Sequence, residues 1–257
     1  MYSEPYKFIS NSLDRIVDLS LFKLDSQSYA YTHVIIINDG QDLAHMDFGQ
    51  MLLHSHSSTF NPLIVGCAAA PGERRKDEYG VQWAADYAGR GSKAGSYARF
   101  ITEELIPWIP THYTLTQQVK TSIAGWSLGG LSAIDIAWHS PHLFQKAGVF
   151  SGSFWWRNPS LIKDDVHHRL MHHKVRHTST RPDLKFWFQA GTDDEKADRN
   201  NNGIIDSIDD TLDLILELEA KGYNKDSHFH FHIEEGGKHD VQTWSKVMPM
   251  FMNWVKQ

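Results

Sequence analysis

The 257-residue chain has a single cysteine, Cys67, so no internal disulfide can staple it and the sequence fits a reducing compartment. Nowhere does an apolar run approach membrane-spanning length. The N-terminal stretch MYSEPYKFISNSLDRIV has neither the basic n-region nor the apolar h-region of a secretory signal, so a cytoplasmic location is expected. A long basic run is also missing: the net charge is -6 and Lys and Arg are scattered, which disfavours a phosphate-tracking surface. Neither nucleic acid nor membrane is an expected partner. With no repeat, no internal linker and no low-complexity tract beyond Asn200 to Asn202, one domain over residues 1–257 is expected. Cys67 sits within LIVGCAAA, the setting of a buried structural thiol rather than a nucleophile.

What the chain does have is 41% hydrophobic residues and nine tryptophans, enough to bury a sizeable core. Short apolar runs at 33–38, 63–69, 119–125, 146–152, 184–191 and 228–235 read as strands. Helical patterns lie between them at 95–106, 129–139, 160–173 and 208–221, and a last one follows at 241–255. Strand and helix in alternation predict an α/β fold, with a mostly parallel sheet covered on both faces. In such folds the ligand site lies beyond the carboxyl ends of the strands.

The run TSIAGWSLGG sets Ser127 in a G-x-S-x-G pattern directly between a predicted strand and a predicted helix. A sharp strand-to-helix turn would hold its hydroxyl clear of the backbone, and the helix start would offer free N–H groups to a developing oxyanion. A serine hydroxyl needs a base, and sixteen histidines are present. His239, in EEGGKHDVQTW, follows the last predicted strand and opens the last helix, so it is the candidate base. The acid should follow the strand LKFWFQAG. Asp194 is the first choice there, with Glu195 and Asp193 in reserve.

Asp194 opens an acidic stretch whose second half has a different spacing. Asp198, Asn200, Asn202, Gly203, Asp206 and Asp209 occupy positions 1, 3, 5, 6, 9 and 12 of a twelve-residue calcium loop, with the Ile204 carbonyl at position 7. Asp209 stands where the last ligand is usually Glu. A structural calcium and an Asx-rich turn capping the next helix are both open readings of this loop.

With these residues in hand, the chain resembles an esterase family of α/β-hydrolases that takes in enterochelin esterases, S-formylglutathione hydrolases, feruloyl esterases and mycolyltransferases. The resemblance runs from about residue 31 to the C-terminus. It rests on NDGQ (38–41), RKDEYG (75–80), FITEELIPWI (100–109), AGWSLGG (124–130), SGSFWW (151–156) and GGKH (236–239). SGSFWW looks most like the enterochelin-esterase branch. The resemblance implies an α/β-hydrolase fold, hydrolysis of a small-molecule carboxylic ester or thioester without a catalytic cofactor, and an oxyanion hole from the backbone N–H groups of Gln41 and Leu128.

Trp126, Trp155 and Trp156 are candidates for the walls of an acyl or aryl pocket. Two competing functions are a histidine-liganded metal hydrolase and a non-catalytic binder on a hydrolase fold. For the first, His228, His230 and His232 share a strand face and His54 and His56 lie two apart. Phe229 and Phe231 on the buried face explain the same alternation. The run VHHRLMHHKVRH reads as a solvated helix face.

Overall fold

The computed structural model describes residues 2–24, 30–46, 48–57 and 59–257. Its strands are β1 (Tyr2–Ser10), β2 (Arg15–Lys23), β3 (Tyr31–Asn38), β4 (Pro62–Cys67), β5 (Leu115–Trp126), β6 (Lys146–Phe150), β7 (Lys185–Asp193) and β8 (Phe229–Lys238). They form one eight-stranded sheet in the order β1-β2-β4-β3-β5-β6-β7-β8. β1 and β2 pair antiparallel, as do β2 and β4. From β4 onward every pairing is parallel. All six predicted strands are present.

The helices are α1 (Phe48–Ser55), α2 (Arg74–Glu78), α3 (Ala94–Arg99), α4 (Ile106–His112), α5 (Leu128–His139), α6 (Leu170–His177), α7 (Asp206–Ala220), α8 (Lys225–His228) and α9 (Val241–Lys256). The central strands are apolar on both faces because both are covered: Val34, Ile35, Ile36 and Ile37 are all buried. Phe48 and Leu52 of α1 and Trp244, Val247 and Phe251 of α9 pack one face. Side chains of α3 to α7, among them Leu131, Ile134, Val175 and Leu214, pack the other.

The structure departs from the sequence reading in three places. The hairpin β1–β2 adds two strands at the sheet edge; Val17, Leu19 and Leu21 of β2 are buried and alternate with Asp18 and Ser20. The helix expected at 95–106 is α3 and α4 joined by a π-helical turn, Phe100–Leu105. Most of the helix expected at 160–173 does not form, and α6 begins only at Leu170. Asp165 instead accepts from the His167 N–H at 2.8 Å and its neighbour His168 has φ 58°, a turn that competes with helix. Arg169 is then drawn inward to bond Asp210 and Asp213, each at 2.7 Å.

β3 carries a titratable group with a consequence for stability. His33 lies edge-on to Phe60 with ring centroids 4.7 Å apart. Burial, aided by Lys120 and Lys146, lowers its pKa from 6.5 to about 4. Between those values the unfolded chain binds the proton and the folded one does not, so stability falls as pH falls. The urea midpoint should decline from pH 6.5 to 4, and less steeply in His33→Phe; equal slopes would remove His33 from the acid response.

Candidate active site

Ser127 stands alone between the last residue of β5 and the first of α5, with φ 56° and ψ -126°. A side-chain-bearing residue adopts such a backbone only where its surroundings hold it there, at a cost of about 1–3 kcal/mol. Here the holding is done by hydrogen bonds on both sides. The Ser127 N–H donates to the Phe150 carbonyl at 2.9 Å, and its carbonyl accepts from Gly130, Leu131 and Ser153 at 3.1–3.2 Å. The turn is so tight that a Cβ on Gly125 would lie 2.6 Å from the backbone of Gly129. The Ser127 hydroxyl is left half-buried, with Ser153 Oγ 3.3 Å away.

The loop after β3 is bolted to this elbow. Asn38 Nδ2 donates to the Gly129 carbonyl at 2.7 Å, and the Tyr97 hydroxyl donates to Asn38 Oδ1 at 2.8 Å. Asp39, at φ 58°, is gripped by Arg75 in two bonds of 2.7 Å, and its N–H donates to the Tyr79 hydroxyl. Gln41 is oriented by its side chain, whose Oε1 accepts from the Ala69 N–H at 3.0 Å. The backbone N–H groups of Gln41 and Leu128 have no acceptor among the described residues. The latter is one of the donors every helix start leaves over.

The carboxyl ends of β7 and β8 bring the other two candidates together. A Cβ on Gly191 would fall 2.2 Å from the backbone of Gly237, so the approach requires a glycine at 191. Asp194 follows β7, and its Oδ1 accepts from Ser151 Oγ at 3.1 Å while Oδ2 is buried without a hydrogen-bond partner. Ser151 Oγ in turn accepts from Trp244 Nε1 at 3.0 Å. His239 follows β8, its ring edge-on to Trp244 at 5.3 Å. Burial pushes the Asp194 carboxyl up, opposed by the Ser151 bond and by the charge of His239. Burial holds His239 below the ordinary imidazole value, opposed by Asp194. Each therefore lies within electrostatic reach of the other, although His239 makes no hydrogen bond among the described residues. Of the reserves, Asp193 is exposed on the β7 edge, and Glu195 is turned toward Ser207, Asp206 and Asp210.

Two of the three tryptophans are reassigned. Trp126 is 2% exposed and Trp156 is 0% exposed, so both are core rather than pocket wall. Trp126 donates to Asp42 Oδ2 at 2.9 Å and stacks on Trp244. Only Trp155 is half-buried, with Arg90 over its ring. The histidine sets of the competing metal mechanism do not converge. His228 belongs to α8 and meets Arg181, His230 stacks on Trp187, and His232 pairs with Glu234. His54 is bonded to the Gln50 carbonyl of its own helix. Cys67 is buried, and burial pushes its thiol far up.

The loop 198–209 closes on itself. Asp198 accepts from the N–H groups of Asn202 and Gly203, Asn202 Oδ1 accepts from the Ile204 N–H, and Asp209 accepts from the side chains of Asn200 and Asn202. Gly203 has φ 86°. No side chain caps α7, whose N-cap is Ile205. Asp206 Oδ1 is engaged by the Arg199 N–H at 2.9 Å.

In the sequence, SGSFWW and RKDEYG are only points of resemblance. The structure gives them parts: Ser151 and Ser153 reach Asp194 and Ser127, while Arg75 fixes Asp39 and Glu78 pairs with Arg15 of β2. No helix among the described residues is long and apolar enough to cross a membrane.

The family model described as "Putative esterase" matches residues 10–253. Two Bacillus subtilis proteins, the uncharacterized YbbA and YjcH, are 24% and 25% identical over 86% and 84% of this chain and 84% and 83% of their own. Among solved structures, the enterobactin esterase of Shigella flexneri superposes with TM-score 0.72 at 17% identity over 99% of this chain, which spans 58% of that one. An IroE-like serine hydrolase from Shewanella oneidensis gives 0.71 at 16% identity, over 99% of this chain and 80% of its own. A ferulic acid esterase gives 0.67 at 14%, over 99% and 97%. These neighbours share the α/β-hydrolase fold, and with 244 of 257 residues matched (10 through 253) the chain belongs to the esterase family.

Proposed function

We propose that the protein cleaves a small-molecule carboxylic ester with Ser127 as nucleophile, His239 as general base and then acid, and Asp194 as the group that orients His239 and stabilises its cation. The observation that carries this reading is the forced backbone of Ser127 between β5 and α5, held at a cost in stability by the surrounding hydrogen bonds and leaving its hydroxyl half-buried. His239 takes the serine proton as Oγ attacks the carbonyl carbon. The tetrahedral oxyanion is then met by the N–H groups of Gln41 and Leu128, and His239 returns the proton to the leaving alcohol. Water repeats the sequence on the acyl-enzyme. The unpartnered Asp194 Oδ2 is the acceptor this scheme needs for His239 Nδ1–H, and catalytic hydrogen bonds of this kind commonly tighten only with substrate present.

Ser127→Ala or His239→Ala should lower kcat by about four to six orders of magnitude. Asp194→Asn should lower it by about 10⁴-fold, because the imidazole loses the partner that fixes its tautomer. Ser151→Ala keeps all three groups and should lower kcat by about ten-fold, one hydrogen bond's worth. Because a protonated imidazole cannot accept the serine proton, kcat/KM should fall as pH falls through a midpoint below 6.5. A screen of aryl, alkyl and thioesters, enterobactin and feruloyl esters included, would supply the substrate; wild-type turnover retained in Ser127→Ala would refute the scheme.

We further propose that the loop 198–209 takes one hard cation of calcium type, through Asp198, Asn200, Asn202, the Ile204 carbonyl, Asp206 and Asp209, with a structural role. Supporting it are the Asp198 bond to the sixth-position glycine, the turn at Gly203, and the bonds of Asn200 and Asn202, positions 3 and 5, to Asp209 at position 12. Asp206 would have to share its carboxylate with the Arg199 N–H. Calcium should raise the melting temperature relative to chelator in the wild type and not in Asp198→Ala, since a ligand held only by the folded state stabilises that state. Identical melting curves in calcium and chelator would leave the loop a self-bonded turn.

A further inference from the structure

Asp164 lies in the segment between β6 and α6, and it faces one side of α6 at close range. His173 Nδ1 is 2.9 Å from Asp164 Oδ1, and His177 Nε2 is 2.5 Å from Asp164 Oδ2. The two histidines are one helical turn apart, with ring centroids 4.2 Å apart. The ligand atoms of all three side chains lie within 4.8 Å of one another. None is needed for packing: their side chains are 40%, 27% and 53% exposed in chain order. The buried face of α6 is made instead by Leu170, Met171, His172 and Val175.

We propose that Asp164, His173 and His177 bind one divalent transition metal of the zinc class, with the remaining positions left to water or an exogenous ligand. The donor set is two imidazoles and a carboxylate, the combination that suits zinc, and the His-x₃-His spacing puts both rings on one helix face. Metal–ligand bonds of about 2.0–2.2 Å set tetrahedral ligand atoms roughly 3.3 Å apart. Opening the present contacts to that spacing needs shifts of a few tenths of an ångström to about 0.8 Å in exposed side chains. Space for further ligands exists, since His173 and His177 open on a cavity of about 480 Å³ that Trp83 also lines.

One charge opposes the metal: Arg176 Nη1 donates to the Asp164 carbonyl at 2.9 Å and lies 3.4 Å from Oδ2. Its charge is shared with Glu217, bonded to its Nε at 3.1 Å. The site thus has one carboxylate and two imidazoles beside a compensated cation, a composition for modest rather than extreme affinity. Bound metal would tie the segment that carries Ser151 and Ser153 to α6.

The test is zinc uptake by the whole protein, measured by calorimetry and by metal analysis after gel filtration, in excess calcium so that the 198–209 loop does not compete. One saturable equivalent is expected in the wild type and in His56→Ala. His177→Ala and Asp164→Asn should weaken it by at least the roughly 10–100-fold that loss of even an outer-sphere partner costs. Cu²⁺ bound to the wild type should show electron-paramagnetic hyperfine structure from two nitrogens, a readout independent of whether any variant folds. No saturable uptake, equal uptake in the wild type and both variants, or a copper spectrum without two nitrogens would overturn the proposal.

Discussion

The close approach of β5 to the start of α5 is the constraint on which the site depends. It allows no side chain at Gly125, forces Ser127 into a backbone it would not choose, and aims the Gly129 carbonyl at Asn38, while Asp39 of the loop after β3 leaves no room for a side chain at Gly129. That last bond joins the loop after β3 to the elbow, so the two N–H groups proposed for the oxyanion are fixed relative to Ser127 by one rigid arrangement. Electrostatic stabilisation of this kind acts without reorganisation only if the donors are already in place. Arg75, Tyr79 and Tyr97 brace the same loop from beneath.

A second set of contacts spans the site from one side to the other. Asp42 holds Trp126, Trp126 stacks on Trp244 at 5.5 Å, and Trp244 donates to Ser151, which donates to Asp194. Indole rings serve here because each offers a large apolar body and a single N–H. The consequence is that Asp194, on a loop, is tied through Ser151 and Trp244 to the core. His239 has no such bond and rests edge-on against Trp244. A base that must turn between the nucleophile and the leaving group is the member of the site that profits from that freedom.

The six parallel strands and the elbow were legible because both have strong local causes, continuous apolar runs for the first and two glycines flanking a serine for the second. Ser127, Asp194 and His239 are proposed on chain order and strand ends, and the structure places the last two in electrostatic reach of each other. The rest was not legible. The hairpin β1–β2 alternates as an edge strand should, but Asp18 and Ser20 dilute its apolar signal. The helix expected at 160–173 has helical periodicity that loses to Asx-turn bonding at Asp165 and to the buried pairing of Arg169 with α7. Trp126 and Trp156 are aromatic residues beside a nucleophile, which sequence cannot distinguish from aromatic residues beneath one. The run VHHRLMHHKVRH, read as a solvated helix face, is one only in part: His173 and His177 lie on the outer side of α6, whereas Arg169 and His172 are buried; what sequence could not supply was Asp164 arriving opposite the outer pair.

The central claim is that the strained serine is the nucleophile, and covalent labelling tests it most directly. A fluorophosphonate reacts only with a serine whose proton is taken by a base, and it leaves a phosphonyl group on the attacked oxygen. Peptide mass mapping of the treated protein should place one adduct on Ser127, formed at neutral pH and slowed as pH falls below 6.5. An intact Ser127 peptide after treatment that labels a control serine hydrolase, or an adduct on another residue, would contradict the account.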